Sequence, residues 1–240
     1  MSRPAVVLQA RMGSKRLPGK VLASLAGRSV LAHCIERLQA RSGVAVIVAT
    51  TTSPEDDRVV AEAGRLGASV FRGPVDDVLT RYLQVASQWS LTHLVRATAD
   101  NPAVDLDAPR RTLDLLIRTG ADHVVEHGLP VGGAVEAVSV DALRRASELA
   151  VDAYDREHVT PLIRRDERFL ALPAVAPAGV RCATVRLTID TPADLAFVRR
   201  VFAYAGETRG EPAPLSDLIA AAKRAHTMLR AVGSGASDAR

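Results

Sequence analysis

The chain predicts an α/β fold: a mostly parallel, Rossmann-like sheet with helices on both faces. Three observations predict it. Strand-like and helix-like runs alternate from the N-terminus onward. Residues 44–49 are continuously apolar and largely β-branched, as a strand covered on both faces requires. The length, 240 residues, suits one such domain with a core large enough to need no covalent staple. The elements follow in order. Residues 5–8 read as the first strand, and Leu31, Ile35 and Leu38 mark the first helix by their spacing. Strand 44–49, helix 55–66, strand 69–71, helix 77–89 and strand 93–98 complete a βαβαβαβ order, which fixes the class. A helix at 108–118 and a strand at 122–126 come next. The pattern then loosens through Gly128, Pro130, Gly132 and Gly133, a loop expected to border a site or an interface. Helices at 141–150 and 157–165, a strand at 181–189, and helices at 192–205 and 215–229 finish the reading. Residues 1–230 form one domain in which 128–165 is a candidate dimerisation or acceptor-site insertion, and 231–240 read as a flexible tail.

Residues 11–20 hold Arg11, Lys15, Arg16 and Lys20 and no acid. The formal net charge is +4, so this loop carries the whole surplus. Lysine is otherwise almost absent, with Lys223 the third and last in the chain. Arginine offers a planar fork to two phosphate oxygens, whereas lysine is a compact point charge that can follow one phosphate; the mixture suits a triphosphate. Gly13, Pro18 and Gly19 shape the backbone for close approach.

Charge elsewhere is balanced, with no basic stripe interleaved with aromatics, so a small anionic ligand is expected and nucleic acid is not. Two cysteines, Cys34 and Cys182, lie far apart in a chain without a leader-like segment, which reads as a reducing cytoplasm. Cys34 sits among apolar helix positions, where packing is its expected role. No long apolar run supports a membrane span. The six histidines show no zinc spacing, and no nucleophile elbow is present.

Known phosphate cradles test the loop. A P-loop places four residues between its glycines and follows Gly-Lys with Ser or Thr; here five residues separate Gly13 from Gly19, and Val21 follows Lys20. A dinucleotide fingerprint fails as well, because its three glycines must enter a helix directly. The stretch Ala10, Arg11, Gly13, Ser14, Arg16, Leu17, Pro18, Gly19 and Lys20 instead resembles the signature of the cytidylyltransferases that activate acidic sugars, the CMP-KDO and CMP-neuraminate synthetases, and most of all their SpsF-type spore-coat polysaccharide branch. The likeness continues through Val48-Ala49-Thr50 with Asp56-Asp57, Arg72-Gly73, Arg96 to Pro102, Arg156 to Thr160 and Arg186 to Pro192. The resemblance implies a nucleotidyltransferase fold related to the A-type glycosyltransferases, a CTP site on the first loop, Mg²⁺ on two aspartates and a homodimer.

Asp100 follows strand 93–98 and should emerge at the carboxyl edge of the sheet, where open α/β sheets bind ligands. Asp190 is freed by its neighbours: Thr191, Pro192 and Asp194 already supply the N-cap, first helical residue and reciprocal acid of a capping box. By the resemblance both are metal ligands, a pair suited to a hard cation that keeps waters and phosphate oxygens. Asp56-Asp57 and Asp76-Asp77 begin helices and read as caps.

The implied reaction is attack of an acidic acceptor on the α-phosphorus of CTP, with pyrophosphate leaving. Arg11, Lys20 and Asp100 are the candidate catalytic residues. Ala10, Arg11, Gly13, Ser14, Arg16 and Lys20 form the CTP site, with amides around Gly13 and Ser14 as donors. Arg72, Arg96, Glu136 and His158 are candidates for the acceptor, which is a 2-keto-3-deoxy sugar acid or similar, or alternatively a phosphonate or sugar phosphate. Two rivals remain open here: a nucleotide-sugar-dependent glycosyltransferase using Asp105-Leu106-Asp107, and a non-catalytic nucleotide or RNA binder.

Overall fold

Apolar runs become the central strands. In the computed structural model, which describes residues 3–207 and 211–235, β1 (Pro4–Gln9) has Val6, Val7 and Leu8 without solvent exposure. The cationic loop follows it. A hairpin of β2 (Ser24–Leu25) and β3 (Arg28–Ser29) leads to α1 (Val30–Arg41), whose N-terminus is capped by Ser29 accepting the Ala32 amide at 3.0 Å. Then come β4 (Val46–Thr51), α2 (Asp57–Arg65), β5 (Ser69–Gly73), α3 (Val78–Gln88) and β6 (His93–Thr98). The second half runs α4 (Ala108–Thr119), β7 (His123–His127), β8 (Glu136–Ser139), α5 (Val140–Leu149), α6 (Ala153–His158), α7 (Pro161–Arg165), β9 (Ala171–Val175), α8 (Pro192–Ala205) and α9 (Leu215–Gly235).

Seven strands make one sheet in the order β5-β4-β1-β6-β8-β7-β9, and only β8 runs against its neighbours. Each face carries a core. Val6, Leu8 and Val48 pack with Leu31, Ile35, Leu116, Val198 and Phe202 on one side. Val7, Ile47 and Leu94 pack with Leu79, Tyr82, Leu143 and Ile163 on the other. Every fully buried Leu, Ile or Val side chain contributes about 1.5–3 kcal/mol, which makes the two-faced strands the firmest part of the molecule. Both thiols are free and Cys34 is buried, in keeping with a packing role.

The second half corrects the sequence reading. Residues 181–189 form no strand of the sheet. The Leu187 amide donates to the Val131 carbonyl and the Ile189 amide to the Asp100 carbonyl, so this extended segment lies across the carboxyl end of the sheet. The strands that take its place were hidden: β8 is four residues long, and β9 contains Pro173, tolerated because β9 is an edge strand. The helix expected over 157–165 is two helices broken at Val159, whose φ of +73° is one a β-branched residue rarely adopts. The last helix continues to Gly235, into the stretch read as a tail, and 236–240 lie outside the described residues. Among the described residues no helix is long and apolar enough to cross a membrane.

Candidate active site

The loop after β1 turns on one residue. Met12 offers its carbonyl to the amides of Ser14 at 2.8 Å and Gly19 at 3.0 Å. Gly19 takes φ +70°, a conformation glycine adopts without penalty, and starts the short 3₁₀ turn Lys20–Leu22. That turn aims Lys20 at the sheet edge. Its ammonium donates to Asp100 Oδ2 at 2.8 Å, to Asp190 Oδ1 at 3.1 Å and to the Ile189 carbonyl at 2.8 Å. Two carboxylates from segments 90 positions apart therefore meet at one cation.

Local chemistry places each carboxylate. Asp100 leaves β6 in a turn where Thr98 donates its hydroxyl to Asp100 Oδ1 at 2.7 Å. Asp190 precedes α8, whose capping box is complete: Asp194 accepts the Thr191 amide at 2.8 Å and donates its own amide to Thr191 Oγ1 at 3.2 Å. Asp190 is thereby free of capping and takes Arg16 at 2.8 Å and Arg186 at 2.6 Å besides Lys20.

These groups border a cleft of about 350 Å³ lined by Gln9, Ala10, Arg11, Ser14, Lys15, Arg16, Lys20, Val21, Arg96, Thr98, Ala99, Asp100, Glu157, His158 and Asp190. Five cations face three carboxylates in that lining, a surplus that suits an anionic ligand. Among the described residues no group of three or more His, Cys, Asp or Glu is placed to hold a metal. The convergence of two carboxylates and a carbonyl on one cation nevertheless fits a hard ion that draws its remaining ligands from water and phosphate.

The cleft gathers most of the residues expected from the sequence. Ala10, Arg11, Ser14, Arg16, Lys20, Arg96, Asp100, His158 and Asp190 line it. Gly13 does not, and the Ser14 amide donates to the Met12 carbonyl. Glu136 stands behind Arg96, its register partner on β8, and holds it at 3.3 Å. It also accepts Thr160 Oγ1 at 2.7 Å, and Arg164 lies at 3.3 Å. Burial pushes the Glu136 carboxyl up, but His123, Arg96 and Thr160 outweigh burial and hold it well below the usual carboxylate range. Arg72 is a correction. It is absent from the lining and is consumed by the Thr51 carbonyl at 2.9 Å, the Ser53 carbonyl at 2.8 Å and Asp57.

Asp56 is another correction: no cap bond joins it to α2. Gln9, Lys15, Val21, Thr98, Ala99 and Glu157 also line the cleft, beyond the candidates named for CTP, acceptor and metal. Gln9 had a signal, a polar residue closing an apolar strand at its carboxyl end. Glu157, which pairs with Arg11 at 3.4 Å, lay within the Arg156 to Thr160 stretch of likeness with nothing to set it apart from its neighbours. The glycosyltransferase alternative loses its metal motif, because Asp105 pairs with Arg111 at 2.5 Å and Asp107 with Arg41 at 3.1 Å, outside the cleft lining.

A mostly parallel α/β sheet bearing a cationic loop and a carboxylate pair at its carboxyl edge defines a phosphate-handling protein of the nucleotidyltransferase kind. A cytidylyltransferase family model matches residues 5–219, and the chain belongs to that family of CTP-using nucleotidyltransferases. The spore coat polysaccharide biosynthesis protein SpsF of Bacillus subtilis is 32% identical over 212 residues, 84% of this chain and 87% of that protein. The structure of a cytidylyltransferase from Leptospira borgpetersenii superposes with a TM-score of 0.84 at 27% identity, covering 95% of this chain and 96% of the other. CMP:2-keto-3-deoxy-manno-octonic acid synthetase complexed with CTP shares the fold, with a TM-score of 0.65 at 19% identity over 84% of this chain and 99% of its own.

Proposed function

We propose that this enzyme transfers CMP from CTP to a small acidic acceptor, a 2-keto-3-deoxy sugar acid or similar, and releases pyrophosphate. The observation that carries the reading is the meeting of Lys20 with Asp100 and Asp190 at the mouth of the cationic loop. An acceptor oxygen attacks the α-phosphorus as the bond to the pyrophosphate oxygen breaks, and the protein's share is alignment and charge neutralisation. Arg11 and Arg16 hold the outer phosphates. Lys20 leaves its two carboxylates for the α-phosphate and the oxygen on which charge grows. Arg96 and His158, across the cleft, face the acceptor's acid group.

Mg²⁺ is part of this reading, held by Asp100 and Asp190; when bound it supplies positive charge to phosphate oxygens. A homodimer and a cytoplasmic setting belong to the same reading, the first supported by the exposed Val151 and Tyr154 within 128–165. Polysaccharide biosynthesis is the setting that goes with this reading, supported by the SpsF relative.

Pyrophosphate release, screened with all four ribonucleoside triphosphates against sugar acids, phosphonates and sugar phosphates, tests the reading. CTP with a 2-keto-3-deoxy sugar acid should give product. Turnover with phosphonates or sugar phosphates alone would reassign the acceptor, and release of nucleoside diphosphate from a nucleotide sugar would overturn the class of reaction.

A further inference from the structure

Asp56 is nearly inaccessible, with 1% of its surface exposed, and both of its carboxylate oxygens are engaged by donors from other segments. Oδ1 accepts the Met12 amide at 2.6 Å. Oδ2 accepts the Thr51 amide at 3.3 Å and the Thr51 hydroxyl. A helix end needs no such arrangement. A neutral Ser, Thr or Asn caps a helix as well as aspartate does, without the cost of desolvating a charge. All three donors here demand an acceptor, and an ionised carboxylate is the side chain that offers acceptors only, on two separate oxygens.

Met12 is also the hub of the loop. Its amide is fixed from below by Asp56, while its carbonyl fixes Ser14 and Gly19, the residue before Lys20. Displacing Met12 displaces Lys20 from the carboxylate pair. The junction that carries Asp56 is itself braced: Arg72 ties the carbonyls of Thr51 and Ser53 to Asp57. Glu55 lies so close under Gly13 that a Cβ there would meet its Oε1 at 3.1 Å.

We infer that Asp56 is the positioning residue of the nucleotide loop, setting the place of Lys20 through Met12. The inference rests on the reading of that loop as the CTP site. The experiment compares Asp56→Asn with Thr51→Val in the full-length protein by CTP calorimetry, steady-state kinetics, thermal unfolding and hydrogen exchange of the Met12 amide. Asparagine keeps the shape but replaces one acceptor oxygen by a donor. Thr51→Val removes a hydroxyl from Oδ2 and leaves the Met12 bond in place.

Asp56→Asn should weaken CTP binding at least about tenfold, the scale of one hydrogen bond to a charged group, and speed exchange at Met12. The acceptor KM should stay within about twofold. Thr51→Val should lower the thermal midpoint and leave CTP affinity within about twofold. Wild-type CTP affinity in Asp56→Asn, or an equal loss in Thr51→Val, would overturn the inference. Failure of the wild-type protein to bind CTP would instead sink the nucleotide reading, and Met12 exchange alone would then decide whether Asp56 braces the loop.

Discussion

Lys20 stands where two demands meet: its ammonium pairs with Asp100 and Asp190 in the structure, and the proposed reaction assigns the same ammonium to the phosphates of the bound nucleotide. Removing it separates these roles. Lys20→Ala should cut turnover at least about 100-fold, the scale of losing one donor to a developing oxyanion, with an unchanged far-UV spectrum. The same variant leaves Asp100 and Asp190 without their shared cation, so Mn²⁺ should bind it more tightly than wild type in the absence of nucleotide, a difference calorimetry can read. Glu136 shows the opposite economy, a half-buried acid held by Thr160 and Arg96 of the protein itself. Its carboxyl titrates below the ordinary range, so its contribution to stability is fully present above the unfolded value of about 4.3 and is lost as pH falls through the lower folded value. Glu136→Gln should therefore be less stable than wild type at neutral pH, and the gap should close on acidification below about pH 4.3, measured as urea midpoints across pH. A residue of this kind is hard to assign from sequence. Nothing in Glu-Ala-Val-Ser says that the acid faces Arg96 across a strand pair rather than a ligand.

Elements whose making is local could be read from the chain, and elements whose partners are distant could not. The box Thr191-Pro192-Ala193-Asp194 is complete within four residues, and the structure contains it as expected, ending the helix at Gly206 with φ +66°. The apolar strands β1 and β4 were equally legible, because burial on both faces leaves a pattern no loop shares. β9 was not, since Pro173 argues against a strand until one knows that it lies at the edge. Residues 181–189 misled for the reverse reason. Val185, Leu187 and Ile189 are buried and alternate, yet the backbone finds its partners at Val131 and Asp100. The capping box also serves the site, for Asp194 accepts the Asp190 amide at 3.1 Å as well as that of Thr191. Thr191→Ala should cost about 0.5–2 kcal/mol in urea unfolding and raise the Mg²⁺ concentration needed for half-maximal turnover. A stability loss with an unchanged metal titration would confine the box to capping.

Four separated stretches of chain must arrive at one sheet edge before there is a cleft at all: the loop after β1, the end of β6, the last residues of α6 and the segment ending at Asp190. The first two are set by parallel pairing of β1 with β6, where Gln9 stands opposite Thr98. The last has no strand to lie against. It is held by the crossing of 130–133 over 185–189, and that crossing is tight: at Gly132, φ +95°, a Cβ would sit 2.7 Å from the Thr188 nitrogen and 3.0 Å from the Leu187 carbonyl carbon. Sequence alone marked Gly128, Pro130, Gly132 and Gly133 as a loop bordering a site, but not what it touches, because the partner lies more than 50 residues away. Gly132→Ala meets both an unfavourable φ and backbone that has no flexible end to move, so it should cost more than about 1 kcal/mol. The segment must shift to admit the methyl group, and Asp190 shifts with it. The expected variant is folded by circular dichroism, less stable in urea, and slowed in turnover with a higher Mg²⁺ requirement. If Gly132→Ala lost stability while its Mg²⁺ dependence stayed that of wild type, the crossing would hold the fold without setting Asp190, and the carboxylate pair would owe its geometry to the capping box and the Ile189–Asp100 bond alone.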